Sequence, residues 1–212
     1  MGLVMREHTS DEHWRALLDR LGLSDFNGAT FGKLVAAYTK PDRHYHSITH
    51  IEDCLDQLAQ CALPPARSDP IALAIWFHDA VYNWRSKTNE ADSAAWAAEF
   101  LSGCDAGDDL KADVDGLIMA TRHFVPEPLV GDQPLMVDID LSILGRAQEA
   151  YDRYETAIRE EYKWGPATTY RRERRAVLRG FLERDAIFET PRFKDLYETA
   201  ARANLQRAID NL

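Results

Sequence analysis

Cysteine is scarce in this chain of 212 residues. It occurs three times, at Cys54, Cys61 and Cys104, and no two of them form a Cys-x-x-Cys pair. An odd count without paired spacing argues against a disulfide framework and against a thiolate zinc site. The chain also lacks any run of apolar residues close to the ~20 that a membrane-spanning helix needs, so we expect no membrane partner.

Positive charge is also in deficit. Lys and Arg number 25 against 35 Asp and Glu, which gives a formal net charge of -10 at pH 7. Such a charge repels polyanions over a long range, so we expect no binding to nucleic-acid polymers. A small phosphorylated ligand is still compatible with it, because a bound cation can invert the local field. In this acidic chain, the basic run RRERRAVLR at 171–179 predicts a solvated helix face.

The opening stretch MGLVMREHTSDEHW lacks the basic, apolar and small-residue segments of a signal peptide, which favours a cytoplasmic protein. Alternating strand patterns, internal repeats and Gly-Ser linkers are missing as well. Helical periodicity is what the chain does contain. It predicts one all-α domain, a helical bundle over 1–212, with a motif-bearing core at about 41–164 and C-terminal helices at 167–212.

Proline positions predict where several helices begin. Asp69 is a candidate N-cap, with Pro70 at the first position of an apolar helix, and Thr190 with Pro191 repeats that arrangement. Residues 124–137 are rich in proline and predict the longest loop.

The apolar run IALAIWF is followed directly by His78 and Asp79. A buried carboxylate without partners is costly, so it becomes neutral, pairs with another group or binds a cation. Neighbouring residues on a helix point about 100° apart, and they can still converge on one ion or bridge two. We interpret the pair as metal-binding, with a buried structural pair as the alternative.

Three further stretches supply nitrogen and oxygen ligands. They are YHSITH with His46 and His50, TRHF with His123, and VDIDLSIL with Asp138 and Asp140. The two histidines of YHSITH are four residues apart and share a face if both lie on a helix. Imidazole and carboxylate together suit zinc, manganese, iron, nickel or cobalt. A single histidine is more often a core or surface residue than a ligand, so the prediction depends on the joint pattern.

These motifs resemble the H…HD…D signature of the HD superfamily of metal-dependent phosphohydrolases, formed here by His50, His78, Asp79 and Asp140. YHSITH is similar to the YHxxxH motif of the cyclic-nucleotide phosphodiesterase branch. Together YHSITHIEDC, AIWFHDAVYN, NEADSA, LIMATRHF, DIDLSILG and YDRYETAIREEY look like a bacterial group of small all-α predicted HD phosphohydrolases whose substrate is generally unassigned. The group usually has Asp-Ala-Asp where this chain has Asp-Ile-Asp at 138–140. The resemblance implies a single-domain HD-type helical bundle.

The resemblance also implies a role for each residue of the signature. His50, His78, Asp79 and Asp140 are the expected metal ligands, and Asp79 is also counted as catalytic because it could bridge a second ion. His46 is the expected general acid, which protonates the leaving oxygen while metal-activated water attacks phosphorus. The alternative for His46 is a ring stacked on its neighbour in the chain.

Four more residues are candidates for a second metal or for phosphate contact, and three have a structural alternative. They are His123, Arg122, Glu90 and Asp138. The alternative for His123 is an interaction with a helix dipole, and for Glu90 it is a first-turn acid. Asp138 is either a substitute for Asp140 or the N-cap of its own helix. Arg122 lies beside His123 and is a candidate phosphate clamp.

We therefore expect a cytoplasmic, metal-dependent phosphohydrolase that cleaves a phosphate monoester or diester of a small molecule, with a nucleotide as one candidate. Its cofactor would be one or two divalent ions, from among Mn, Ni, Zn, Mg, Co and Fe. Two alternatives stay open: a non-catalytic regulatory module that binds metal and nucleotide, and a di-iron HD-type oxygenase, which needs additional histidine ligands. A homo-oligomer is compatible with the sequence.

Overall fold

The computed structural model describes residues 7–25, 28–123 and 128–212. Every regular element within these ranges is a helix, and none is a strand, so the predicted all-α class is confirmed. No helix of the described ranges has both the length and the apolar character that crossing a bilayer requires. Contacts within the chain group it into two compact units, 1–123 and 124–212. The assignment of the whole chain to one domain stays a prediction.

The first unit contains six α-helices. They are α1 (Asp11–Leu21), α2 (Ala29–Tyr38), α3 (Ile48–Gln60), α4 (Pro65–Phe77), α5 (Asn89–Gly103) and α6 (Asp108–Ala120). Local signals explain both ends of α1. The Ser10 hydroxyl accepts a hydrogen bond from the backbone N–H of His13 at 3.2 Å, and Gly22 ends the helix in the left-handed region at φ 68°.

Helix α4 is the centre of the first unit, where it contacts α1, α3, α5 and α6. All of residues 71–78 except Ala72 are buried, as expected for a helix enclosed on all sides. Trp14 of α1 packs edge-on against Trp76 of α4, with ring centroids 5.6 Å apart. This core fixes the end of α4, and therefore fixes the position of His78.

The start of α4 differs from the prediction. The helix begins at Pro65 and Pro70 lies inside it, so the predicted start at Asp69 and Pro70 is wrong. Pro65 occupies the first helical position, where a missing N–H costs no hydrogen bond within the helix. The buried carboxylate of Asp69 instead accepts two hydrogen bonds from Arg20 of α1, each 2.9 Å long. Arg20, a partner distant in sequence, thus binds the carboxylate that the local pattern predicts to cap the helix.

Helices α3 and α4 are joined by residues 61–64 and pack against each other. Because the connection is so short, the two helices run antiparallel. The first turn of α3 therefore lies beside the end of α4. This arrangement brings YHSITH next to His78 and Asp79.

The second unit contains four α-helices and a short 3-10 helix. They are α7 (Gln133–Leu141), the 3-10 helix Ser142–Gly145, α8 (Gln148–Glu161), α9 (Ala167–Leu182) and α10 (Pro191–Asn211). Helix α10 has Thr190 at its N-cap and Pro191 at its first position, as predicted. The predicted loop over 124–137 is wrong for residues 133–137, which belong to α7, and its residues 124–127 lie outside the described residues.

Gly145 lies where α10 passes close to the 3-10 helix. A Cβ atom at this position would be 2.7 Å from the carbonyl oxygen of Tyr197 and 2.8 Å from its Cα. Backbone atoms cannot move aside as the end of a side chain can, so the contact requires glycine.

Candidate metal centre

Three ligand-type side chains of the first unit come from the meeting point of α3 and α4. His50 is the third residue of α3, His78 is the C-cap of α4, and Asp79 follows it. His50 and His78 are 4% and 1% exposed, and the side chain of Asp79 is 17% exposed. The two imidazoles are thus enclosed in the core, whereas the carboxylate has some access to solvent.

The donor atoms of these side chains form a small triangle. His50 Nε2 lies 3.2 Å from His78 Nε2, and His78 Nε2 lies 3.2 Å from Asp79 Oδ2. The third edge, from His50 Nε2 to Asp79 Oδ2, is 3.7 Å. A circle through three points with these spacings has a radius of about 2.0 Å, close to the ~2.0–2.2 Å of zinc bonds to nitrogen and oxygen. The donor set therefore fits a divalent ion in both spacing and chemistry.

A contact on the far side of the ring from the triangle fixes the orientation of His78. Its Nδ1 lies 2.9 Å from the carbonyl oxygen of Ile75, one turn earlier in α4. A proton on Nδ1 makes this hydrogen bond and leaves the Nε2 lone pair directed at the triangle. Metal-binding histidines commonly have such a partner on their second nitrogen, because it fixes the tautomer and the ring.

The electrostatics of the cluster keep Asp79 ionised. Burial raises the pKa of this carboxyl, but the neighbouring imidazoles lower it by more, His78 first and then His46 and His50. The net pKa of Asp79 is well below its usual value. An ionised carboxylate beside imidazole nitrogens is the form that binds a metal.

Arg43 is a residue of this region that the sequence analysis missed. It is 7% exposed, and its guanidinium donates hydrogen bonds to the carbonyl oxygens of His46 (3.0 Å), Asp79 (2.6 Å) and Ala80 (2.8 Å). The same group lies over the ring of Tyr38, 5.1 Å from its centroid. One buried cation therefore ties the segment before α3 to the turn after α4. An arginine in a polar turn carries no local signal that it is buried.

His46 lies at the edge of the cluster and outside α3, which begins at Ile48. The condition for His46 and His50 to share a helix face is therefore not met, although their rings are 6.3 Å apart. His46 stacks on Tyr82 with ring centroids 4.2 Å apart, and it meets the Tyr45 ring edge-on at 5.1 Å. Its stacking partner thus comes from the stretch after Asp79. His46 is half-buried, and its imidazole is near enough to lower the pKa of Asp79.

In the second unit, Asp138 serves a structural purpose. It is fully buried, and it accepts hydrogen bonds from the backbone N–H of Glu189 (2.7 Å) and from both the N–H (2.7 Å) and the hydroxyl (2.5 Å) of Thr190. Burial raises the pKa of Asp138, and these hydrogen bonds lower it part of the way back. Asp138 is not the N-cap of its own helix, since α7 begins at Gln133; it stabilises the start of α10 instead.

Asp140 is the second-last residue of α7 and is half-buried. Because both oxygens of Asp138 already accept hydrogen bonds, the structure favours Asp140 over Asp138 as a ligand. His50, His78 and Asp140 are a group of described residues that could hold a metal ion. The sequence predicted each member of that group.

Tyr154 and Arg174 form a second network that the sequence analysis did not identify. Arg174 donates to Tyr154 Oη at 2.8 Å and to Glu155 at 2.6 Å, and its side chain is 10% exposed. The prediction of a solvated face for 171–179 is therefore wrong at Arg174. Burial raises the pKa of Tyr154, Arg174 lowers it part of the way back, and the charges of Glu155 and Asp140 raise it again, so the net pKa is above its usual value. The phenol thus stays protonated beside the carboxylate that we consider a ligand.

Asp79, His46 and Asp138 are not members of the metal-capable group, and three other candidates also lie outside it. Glu90 is in the first turn of α5, after Thr88 at its N-cap, which agrees with the structural alternative. Arg122 is exposed just after α6, and His123 is half-buried at the end of a described range. Their predicted contacts with a second metal or with phosphate stay predictions.

Comparison with family models, with curated proteins and with solved structures gives no match for this chain. Membership of the HD superfamily therefore stays a prediction from the quoted motifs. The geometry of His50, His78 and Asp79 does not depend on that resemblance.

Proposed function

We propose that this protein is a metal-dependent phosphohydrolase of HD type. The observation that carries the proposal is the triangle of His50 Nε2, His78 Nε2 and Asp79 Oδ2, with edges of 3.2–3.7 Å in a largely buried site. Two imidazoles and a carboxylate at this spacing are a donor set for a divalent ion. We assign Asp140 as a further ligand, since His50, His78 and Asp140 are a group that could hold a metal ion.

The substrate we propose is a phosphate monoester or diester of a small molecule, and a nucleotide is one candidate. A bound divalent ion would supply Lewis acidity toward a phosphoryl oxygen and toward water. In the reaction, a water oxygen forms a bond to phosphorus and the water loses a proton to solvent, while the bond from phosphorus to the leaving oxygen breaks. His46 donates a proton from a ring nitrogen to that leaving oxygen. Stacking on Tyr82 and the hydrogen bond from Arg43 to the His46 carbonyl keep the donor in place.

The proposal extends to the cofactor and the setting. One or two ions per site are compatible with the ligands. Imidazole and carboxylate together suit Mn, Ni, Zn, Co and Fe, whereas Mg, the remaining candidate, prefers oxygen ligands. Asp79 is the residue that could bridge a second ion. Cytoplasmic location, the absence of nucleic-acid polymers among the partners and a homo-oligomer stay predictions.

Metal analysis combined with an activity assay tests the proposal. The protein is purified without chelator, metal per chain is measured, and hydrolysis of bis-p-nitrophenyl phosphate and p-nitrophenyl phosphate is followed with Mn²⁺, Ni²⁺ or Zn²⁺ added. We expect His50→Ala and Asp79→Asn to lose metal and turnover together. His44→Ala changes an exposed histidine two residues from His46, and we expect it to keep both.

Other outcomes distinguish the alternatives. Metal binding that is lost in His50→Ala, with no turnover of either ester, would favour a non-catalytic binding module. Iron at two per chain, with an absorption band in the visible range, would favour a di-iron oxygenase. A folded wild type that takes up no metal from any of these salts would refute the metal centre and leave His78 and Asp79 as a structural pair.

A further inference from the structure

We propose that the arginines along one face of α9, which are exposed except for the half-buried Arg175, form a second binding site for a small ligand that carries two or three linked phosphate groups. The site lies wholly within the second unit and does not depend on the function proposed above. Its core is Arg171, Arg175 and Arg179, spaced four residues apart along one face of the helix. Over eight residues of α-helix, the three guanidinium groups cover about 12 Å.

These three arginines differ from their neighbours in how they are paired. Helix α9 contains five arginines and one glutamate. Arg172 pairs with Glu173 at 2.7 Å, and Arg174 is buried against Glu155. In the described part of the chain, no carboxylate lies within salt-bridge distance of Arg171, Arg175 or Arg179. A row of unpaired cations of this kind is unfavourable to the fold, because like charges four residues apart on a helix repel each other.

A groove accompanies the row of arginines. It has a volume of about 480 Å³ and is lined by four arginines together with Thr168, Ala176 and Leu212. No Asp or Glu side chain contributes to this lining. Guanidinium groups pair with phosphate oxygens through two parallel hydrogen bonds, so a concave surface of this composition suits a phosphate-bearing ligand.

The surroundings limit the size of that ligand. Glu183 and Asp185 follow the last arginine of the row with Arg184 between them, so the segment beyond Arg179 carries a net negative charge and does not extend the row of cations. The net charge of -10 on the whole chain also repels nucleic-acid polymers and anionic membranes. A compact polyphosphate is attracted by the arginines of the row. It is short enough to avoid the acidic residues beyond Arg179, and it is repelled less by the net charge of the chain than a polymer or a membrane would be.

Calorimetric titration with inorganic tripolyphosphate tests the site in the full chain. The test variant is Arg175→Gln with Arg179→Gln. The control is Arg153→Gln with Arg192→Gln, which removes the same charge from two exposed positions on α8 and α10. We expect the test variant to weaken binding at least about tenfold and the control to weaken it less than about twofold. The reason is that direct guanidinium–phosphate pairs contribute more to binding than the general electrostatic field of the protein does.

Three further measurements make the proposal refutable. His50→Ala should bind tripolyphosphate as the wild type does, and loss of binding there would place the ligand at the metal centre instead. Equal weakening in the test and control variants would reduce the effect to net charge and overturn the site. Stronger association with phosphatidylglycerol vesicles or with a 20-nucleotide RNA than with tripolyphosphate would overturn the choice of a small ligand. Unchanged circular dichroism would confirm that the surface variants are folded.

Discussion

Replacing Arg43 with methionine removes three hydrogen bonds at once and leaves three backbone carbonyls near the cluster without their donor. Those carbonyls belong to His46, Asp79 and Ala80. A hydrogen bond to a charged group contributes ~1.5–3 kcal/mol, and a buried acceptor left without its donor costs about 1–3 kcal/mol. We expect Arg43→Met to lower the free energy of unfolding by about 3–5 kcal/mol.

The conservative variant separates stability from positioning. Arg43→Lys keeps the charge but loses the planar fork that reaches three acceptors, so we expect a smaller loss of stability. We expect its metal affinity to fall about 10–100-fold, because groups that orient the ligands have effects of this size. Affinity is measured by competition with a chelator under conditions where the variant is fully folded.

Urea denaturation followed by tryptophan fluorescence measures the stability of each variant. Arg85→Met is the matched control, since Arg85 is exposed and contacts the ring of Trp84. We expect this control to stay within about 0.5 kcal/mol of wild type. An Arg43→Met protein with the wild-type midpoint would refute the structural part of the reasoning. A folded Arg43→Lys protein with wild-type metal affinity would refute the positioning part.

Three further predictions concern single positions. Gly145→Ala should destabilise the protein by about 1–3 kcal/mol because Tyr197 leaves no room for a Cβ, whereas Gly32→Ala, in open space within α2, should stabilise it by about 0.5–1 kcal/mol. Melting temperatures that move in the same direction would contradict this. Asp138→Asn should lower the free energy of unfolding, measured by urea denaturation, by about 2–4 kcal/mol, while Asp140→Asn should lower metal content with little change in stability. The reverse pattern would make Asp138 the ligand and Asp140 the structural residue. The pKa of Asp79 is depressed, so its contribution to stability is complete above about pH 4 and is lost as the pH falls further. In the metal-free state, the stability of Asp79→Asn should therefore fall less than that of wild type between about pH 5 and 2. Urea midpoints that fall in parallel for the two proteins would contradict that reasoning.

Local pattern predicted much of the architecture and part of the site. Helical periodicity gave the all-α class, and the Thr-Pro signal predicted the start of α10 because capping and proline preference act within a few residues. The placement of His78 and Asp79 after an apolar run predicted an enclosed polar cluster, and the structure brings His50 to the same point. These features depend on neighbours in sequence or on an apolar face that packs in one way.

The errors have a common physical cause, which is a partner distant in sequence. Asp69 was predicted as a cap, but it pairs with Arg20. One alternative for Asp138 was the N-cap of its own helix, but that helix begins at Gln133 and Asp138 binds the start of α10. The three carbonyls bound by Arg43 lie up to 37 residues away. The sequence alone does not show whether an arginine is buried or exposed, because that depends on the fold.

The way α4 ends has a consequence for kinetics. The carbonyl of Ile75 faces the His78 ring, and the carbonyl of Trp76 accepts a hydrogen bond from the Tyr38 hydroxyl at 3.0 Å. The last carbonyl groups of a helix usually form hydrogen bonds with water. Here side chains bind these carbonyls instead, and they exclude solvent from the side of the cluster that faces α4. Among the triangle's ligands, Asp79 is the most exposed, so an ion would enter and leave past its carboxylate. Exchange of metal would then be slow even at modest affinity, and the ion acquired during folding would tend to persist through purification.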